Sequence, residues 1–122
     1  MRLVDSSGWI EFFTDGLLAG KYAVHLKDPG SVLTPTVVLY EVYKKIKRER
    51  SEEEALSAVA LMNHTNVAEL TESIVLLAAD LSIAHSLPMA DAIVYATALE
   101  ADCKVITSDK HFKQLDGVVF VK

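Results

Sequence analysis

The chain reads as an α/β sandwich of three layers, with a short, mostly parallel sheet flanked on both faces by helices. Three observations predict it. Short runs rich in β-branched and apolar residues alternate with longer stretches in which apolar residues recur at helical spacing. The stretches between strands are long enough to hold helices, so strands that follow one another in sequence can pair in parallel. The 122 residues suffice for one sizeable core and are too few for two, so residues 1–122 form a single domain.

Taken in order, Arg2-Leu3-Val4 is a short strand, and Asp5-Ser6-Ser7 offers caps for a helix carrying Trp9, Ile10, Phe12 and Phe13. Asp15-Gly16 breaks that helix. A second follows on Leu17, Leu18, Tyr22 and Leu26 and stops at Asp28-Pro29-Gly30. Ser31-Val32-Leu33-Thr34 is the second strand, and Thr34-Pro35 starts a third helix, with Thr34 as cap and proline in the first turn. It runs through Glu41 into Lys44-Lys45-Ile46-Lys47-Arg48-Glu49-Arg50. Ser51-Glu52-Glu53-Glu54 fits a capping box, so a fourth helix reaches about Asn63 and forms a hairpin or bent arm with the third. Val67-Ala68-Glu69-Leu70 is a third strand. Thr71 with Ile74, Leu77, Ala78 and Leu81 marks a fifth helix, ended before Pro88. Met89 to Leu99 is a sixth, Val105-Ile106 a fourth strand closed by Thr107-Ser108-Asp109, and Gly117 to Val121 the last.

Composition narrows the function. No apolar run spans a bilayer, and the N-terminal Met1 to Val4 passes into Asp5 without a signal-peptide pattern, so the expectation is a soluble, cytoplasmic protein that does not engage a membrane. The single Cys103 cannot form an internal disulfide and reads as a packing residue. His25, His64, His85 and His111 lack the close pairing of a zinc site. The net charge of −5 opposes broad nonspecific binding to nucleic acid, but the stretch from Lys44 to Arg50 alone carries +4 on an otherwise acidic chain.

Against that background the acids stand out. Asp91 opens the sixth helix and Asp109 closes the fourth strand, while Asp5 ends the first strand and opens the first helix. In a parallel sheet, strand C-termini and helix N-termini share one edge, the edge where ligands bind, so these three are expected to meet. Singly, each has a plain structural explanation in the helix macrodipole or a turn. Glu41 lies inside its helix, where Glu followed by Lys44 and Lys45 is an ordinary surface pairing, yet Val37 to Tyr40 and Val42-Tyr43 surround it with apolar residues, and a carboxylate there wants a partner.

Val4-Asp5-Ser6-Ser7, Pro35 through Glu41-Val42, Ala90-Asp91-Ala92 through Ala98, and Ile106-Thr107-Ser108-Asp109-Lys110-His111-Phe112 together resemble the four acidic motifs of PIN-domain nucleases, above all the VapC-type toxins of toxin–antitoxin pairs. The resemblance spans essentially the whole chain in the family's order. It implies a Mg²⁺- or Mn²⁺-dependent endoribonuclease in which Asp5, Glu41, Asp91 and Asp109 hold the metal, leaving a 5′-phosphate and a 3′-hydroxyl. It also implies a homodimer and a cognate antitoxin whose tail covers the acids, with an arginine standing in for the cation. Chemistry agrees on the ion: clustered carboxylates are hard oxygen ligands, and without a cation they repel strongly enough that at least one should bind a proton. Ser6 or Ser7, and Thr107, match the small hydroxyl residues beside those acids and could orient them. Capping and turn formation explain them equally well.

Lys44, Lys45, Lys47 and Arg48 begin one turn beyond Glu41 and could guide an RNA backbone, although cations near a helix C-terminus are favourable in any case. Tyr40, Tyr43 and Trp9 could stack on bases or serve as core or interface residues. Asp116 is either an extra acid or part of the Asp116-Gly117 turn. Two other classes stay in view. A noncatalytic PIN-like module would bind RNA or protein without cutting. A phosphoryl-transfer domain would use an aspartyl nucleophile, but the second acid such domains place near the first is absent, since Ser6-Ser7 follows Asp5.

Overall fold

The computed structural model describes residues 1–122 and contains β1 (Arg2–Val4), α1 (Ser6–Phe13), α2 (Ala19–Leu26), β2 (Val32–Pro35), α3 (Thr36–Glu49), α4 (Glu52–Met62), β3 (Asn66–Ala68), α5 (Glu72–His85), α6 (Met89–Glu100), β4 (Lys104–Thr107) and β5 (Val118–Phe120). Short 3₁₀ turns occupy Pro29–Ser31 and Lys110–Phe112. All four strand pairings are parallel, in the order β3-β2-β1-β4-β5. From β1 the chain moves outward through β2 to β3, then crosses back to β4 on the other side of β1. Because such crossovers are right-handed, the reversal sends the first two helix pairs over one face and α5–α6 over the other. The fold is the expected α/β sandwich.

Several local expectations shift by a residue or two for physical reasons. Thr34 is not a helix cap. It is a buried strand residue whose hydroxyl meets that of Thr65 at 2.6 Å, and Pro35 takes the N-cap position of α3. Ser31 belongs to the 3₁₀ turn that precedes β2, and β3 ends at Ala68, so Glu69 and Leu70 lie beyond it. Leu17 and Leu18 precede α2, and Leu17 is fully exposed rather than part of an apolar face. Ser51 caps α4 as expected, its hydroxyl accepting the Glu54 N–H at 3.1 Å, and Thr71 does the same for α5 from Ile74 at 3.2 Å. Trp9 is buried and stacks on Phe13 with centroids 5.6 Å apart, which makes it a core residue.

The core runs through the sheet residues Leu3, Val4, Val32, Val105 and Ile106 to Val38, Val42 and the inner face of α6. α1 approaches it closely. A Cβ on Gly8 would sit 2.3 Å from Tyr22 Cε1 and 2.8 Å from Val4 Cγ1, so only glycine lets this helix settle over β1. No single helix is long and apolar enough to cross a membrane.

Candidate active site

The sheet order reverses between β1 and β4, and at such a switch point the loops leaving neighbouring strands turn to opposite faces and open a crevice at the strands' C-terminal edge. Asp5 immediately follows β1, and its backbone N–H still bonds to Ile106 of β4 at 3.0 Å. Asp109 stands two residues beyond β4. The first turn of α6 brings Asp91 to the same edge, and α3, which leaves β2, contributes Glu41. Their mutual influence shows in their ionisation. Glu41 and Asp91 each raise the pKa of Asp5, Asp91 and Asp109 raise that of Glu41, and Asp109 raises that of Asp91.

Burial is the larger cause in each case. Asp5 is only 2 % exposed, and desolvation drives its carboxyl up to about 7 in spite of the opposing hydrogen bonds from the Ser6 backbone and Thr107. Glu41 and Asp91, half-buried, are pushed up by desolvation first and by their acidic neighbours second. No lysine or arginine pairs with any of the four acids; the salt bridges of the chain's lysines and arginines go to Glu49, Glu52 and Glu54.

Hydroxyl groups orient the acids. Thr107 Oγ1 donates to Asp5 Oδ2 at 2.9 Å and accepts the Asp109 N–H at 2.9 Å, so one buried side chain holds the ends of β1 and β4 in register. Ser7 Oγ lies 3.4 Å from both Asp5 Oδ2 and Thr107 Oγ1. Of the two serines, Ser6 stands instead beside Glu41, where its hydroxyl lowers the pKa that burial raises. Tyr22 is buried beneath the cluster and donates to Ser108 Oγ at 2.8 Å.

One residue was not expected in the site. His111 Nδ1 lies 2.7 Å from Asp91 Oδ2 and 3.3 Å from Asp109 Oδ1, bridging the two acids. A search for paired histidines passes over it. The signal was its place two residues after Asp109, in a tight turn that folds back on the acid. Asp116 sits at the other end of β5, in the turn formed by Gly117 at φ +77°, and its carbonyl accepts the Tyr95 hydroxyl at 2.8 Å. It belongs to that turn.

A groove of about 800 Å³ opens beside Glu41. Ser6 and Ala90 join it to the acids, Ile10, Val37, Leu70, Met89 and Ile93 give it apolar walls, and Tyr40, Lys44, Lys45 and Arg48 form a basic, aromatic side. Lys47 lies outside it, its ammonium directed to Tyr43 and Glu52. The donor set fits a hard divalent cation: ligand atoms of Asp91, Asp109 and His111 lie within 4.8 Å of one another, Asp5 and Glu41 are near enough to feel the neighbouring acids, and carboxylate oxygens suit Mg²⁺ or Mn²⁺.

The PIN domain family model matches residues 2–118. No curated protein matches the chain significantly. Among solved structures, the chain is similar to a toxin–antitoxin complex from Klebsiella pneumoniae, at 24 % identity and a TM-score of 0.81 over 98 % of this chain and 96 % of that one. It is similar to VapC20 of Mycobacterium tuberculosis, a Sarcin-Ricin loop cleaving toxin, at 20 % identity and a TM-score of 0.82 over the full length of both. A third similar structure is VapBC2 from Rickettsia felis bound to a DNA fragment from their promoter, at 10 % identity and a TM-score of 0.76 over 98 % of this chain and 96 % of that one.

Proposed function

The chain belongs to the PIN domain family, and from that premise we propose that it is a divalent-metal-dependent endoribonuclease, the toxin of a toxin–antitoxin pair. The observation that carries the reading is the convergence of Asp5, Glu41, Asp91 and Asp109 at the switch point of the sheet, with the most buried of them lacking any cationic partner. These four would hold Mg²⁺ or Mn²⁺. When bound, the ion supplies a water of lowered pKa and offsets the charge that develops on the scissile phosphate.

The protein's own contribution is placement. Thr107 and Ser7 fix the Asp5 carboxylate, and the hydrogen bond that the Asp109 backbone N–H donates to Thr107 Oγ1 sets the separation of the two acids. Ser6 orients Glu41 at the mouth of the groove. Lys44, Lys45 and Arg48 neutralise phosphates of a strand lying in the groove, while Tyr40, 56 % exposed, gives a base a surface to stack on. Lys47 contributes to the same positive field from outside the groove. The mixed apolar and basic lining also suits an antitoxin segment that would block the acids. A second copy of the chain would cover the exposed apolar residues Val75, Leu76 and Ile83 of α5, and a cytoplasmic location fits an RNA substrate.

Cleavage of total cellular RNA by the purified, antitoxin-free protein with Mg²⁺ or Mn²⁺ tests the reading, beside Asp91→Asn and an EDTA control. Discrete metal-dependent fragments that vanish in the variant are expected. Equal silence of folded wild type and variant would favour a noncatalytic binding module.

A further inference from the structure

We infer that His111 is a nitrogen ligand of the metal centre and makes the site prefer Mn²⁺ to Mg²⁺. The inference rests on the metal-dependent reading above and adds a ligand and a selectivity to it. Donor atoms of Asp91, Asp109 and His111 all lie within 4.8 Å of one another. Ligands of one octahedral ion, each about 2.1 Å from it, stand about 3 to 4 Å apart, so the 3.3 Å between Nδ1 and Asp109 Oδ1 already fits, and Nδ1 need only draw back slightly from Asp91 Oδ2, now 2.7 Å away, to admit a cation.

The imidazole is held there by the chain rather than by chance. Phe112, the next residue, is fully buried and anchors the 3₁₀ turn Lys110–Phe112. The backbone N–H of His111 donates to Asp109 Oδ1 at 2.9 Å, so the ligand acid itself fixes the root of the side chain. Nδ1 then faces Asp91 and Asp109 together. More than half of the side chain is exposed, which leaves Nε2 free to carry the ring proton once a cation replaces the proton that Nδ1 shares with Asp91 Oδ2.

Selectivity follows from ligand chemistry. Carboxylates alone suit Mg²⁺ and Mn²⁺ alike, whereas an imidazole nitrogen is a poor ligand for Mg²⁺ and a good one for first-row transition ions. A histidine that served only as a counter-charge between two acids would favour neither ion.

The experiment uses the intact, metal-free protein. Mn²⁺ and Mg²⁺ are titrated calorimetrically into wild type, His111→Ala and Asp91→Asn, and the Mn²⁺-loaded proteins are examined by pulsed electron paramagnetic resonance for ¹⁴N coupling. Wild type should show ¹⁴N coupling. His111→Ala should lose it, with Mn²⁺ affinity falling about tenfold or more and Mg²⁺ affinity changing far less. Mn²⁺ binding that depends on Asp91 but shows no ¹⁴N coupling, or coupling that survives in His111→Ala, would overturn the role of His111 and leave the acidic centre standing. Absence of any Asp91-dependent Mn²⁺ binding would remove the metal centre and this inference together. His111 is exposed and makes no core contact, so His111→Ala should fold, as circular dichroism would verify.

Discussion

α5 and α6 are nearly equal in apolar content and pack against each other, yet they end in opposite situations. α6 buries seven successive residues, Ala92 to Ala98, because it is pressed between α5 and the sheet and also touches α3. α5 buries only Ile74 and Ala78, and leaves Leu76 60 % and Ile83 83 % exposed. Burial therefore follows position in the layers and not hydrophobicity. The same holds for charge: Asp80 on α5 is exposed, whereas Asp91 at the head of α6 is held half-buried among other acids.

The sharpest way to break this comparison is to remove one charge from each helix. Asp91→Asn should lower RNA cleavage about 10²-fold or more, the scale on which loss of a group that stabilises transition-state charge is felt. Asp80→Asn should leave the rate unchanged, and parallel cleavage assays on both variants decide the matter. A comparable loss in Asp80→Asn would remove the distinction between the two helices.

The second effect is on stability. The Asp5 carboxyl titrates near 7 in the folded protein, against 3.8 for the unperturbed group. Between those values the native state holds the proton more tightly than the unfolded chain, so stability is highest at the acid end of that range and falls as pH rises through it. At about 1.4 kcal/mol per unit, the metal-free protein should lose a few kcal/mol from this group between pH 4 and 7. Denaturant unfolding of wild type and Asp5→Asn across that range would reveal it, since the variant should lack this component of the slope.

A divalent ion should oppose that loss. At 100-fold excess over its Kd it stabilises by about 2.7 kcal/mol, which thermal unfolding at pH 7.5 with and without EDTA would detect; Asp5→Asn should respond less. The smallest effects complete the comparison. Ile93→Ala, in the buried block of α6, should cost about 2 kcal/mol or more, whereas Ile83→Ala on α5 should stay within about 0.5 kcal/mol, both measured by denaturant unfolding at dilutions where the chain is monomeric.

How far the sequence is legible depends on the range of the interaction. Ser51 was readable as a cap because it acts on an N–H three residues away, and Thr71, read only as marking the start of α5, turns out to act in the same way. The meeting of Asp5, Asp91 and Asp109 followed from the rule that strand ends and helix starts share an edge. Glu41 was harder to read, since its role depends on where α3 crosses that edge, and the surface pairing with lysine fits the same residues. Thr34 was read both as the last residue of the second strand and as a helix cap, because Thr-Pro is a strong local signal; pairing with Val67 of β3 keeps it in the strand and leaves the cap to Pro35. His111 escaped a search for paired histidines; its place two residues after Asp109 was a local signal, but its contact with Asp91, twenty residues away, needed the fold. The split of the basic stretch, with Lys44, Lys45 and Arg48 on the groove and Lys47 off it, needed the helix to be placed first.

The hydroxyl of Thr107 reaches back 102 residues to Asp5. β1 can pair with β2 early, but the acid that follows it waits for β4, which lies in the last fifth of the domain. On a ribosome, a chain that had emerged only as far as α6 would carry three of the four carboxylates but lack the strand that completes the switch point. The nascent domain would stay without a cutting edge until β4 had emerged and paired with β1.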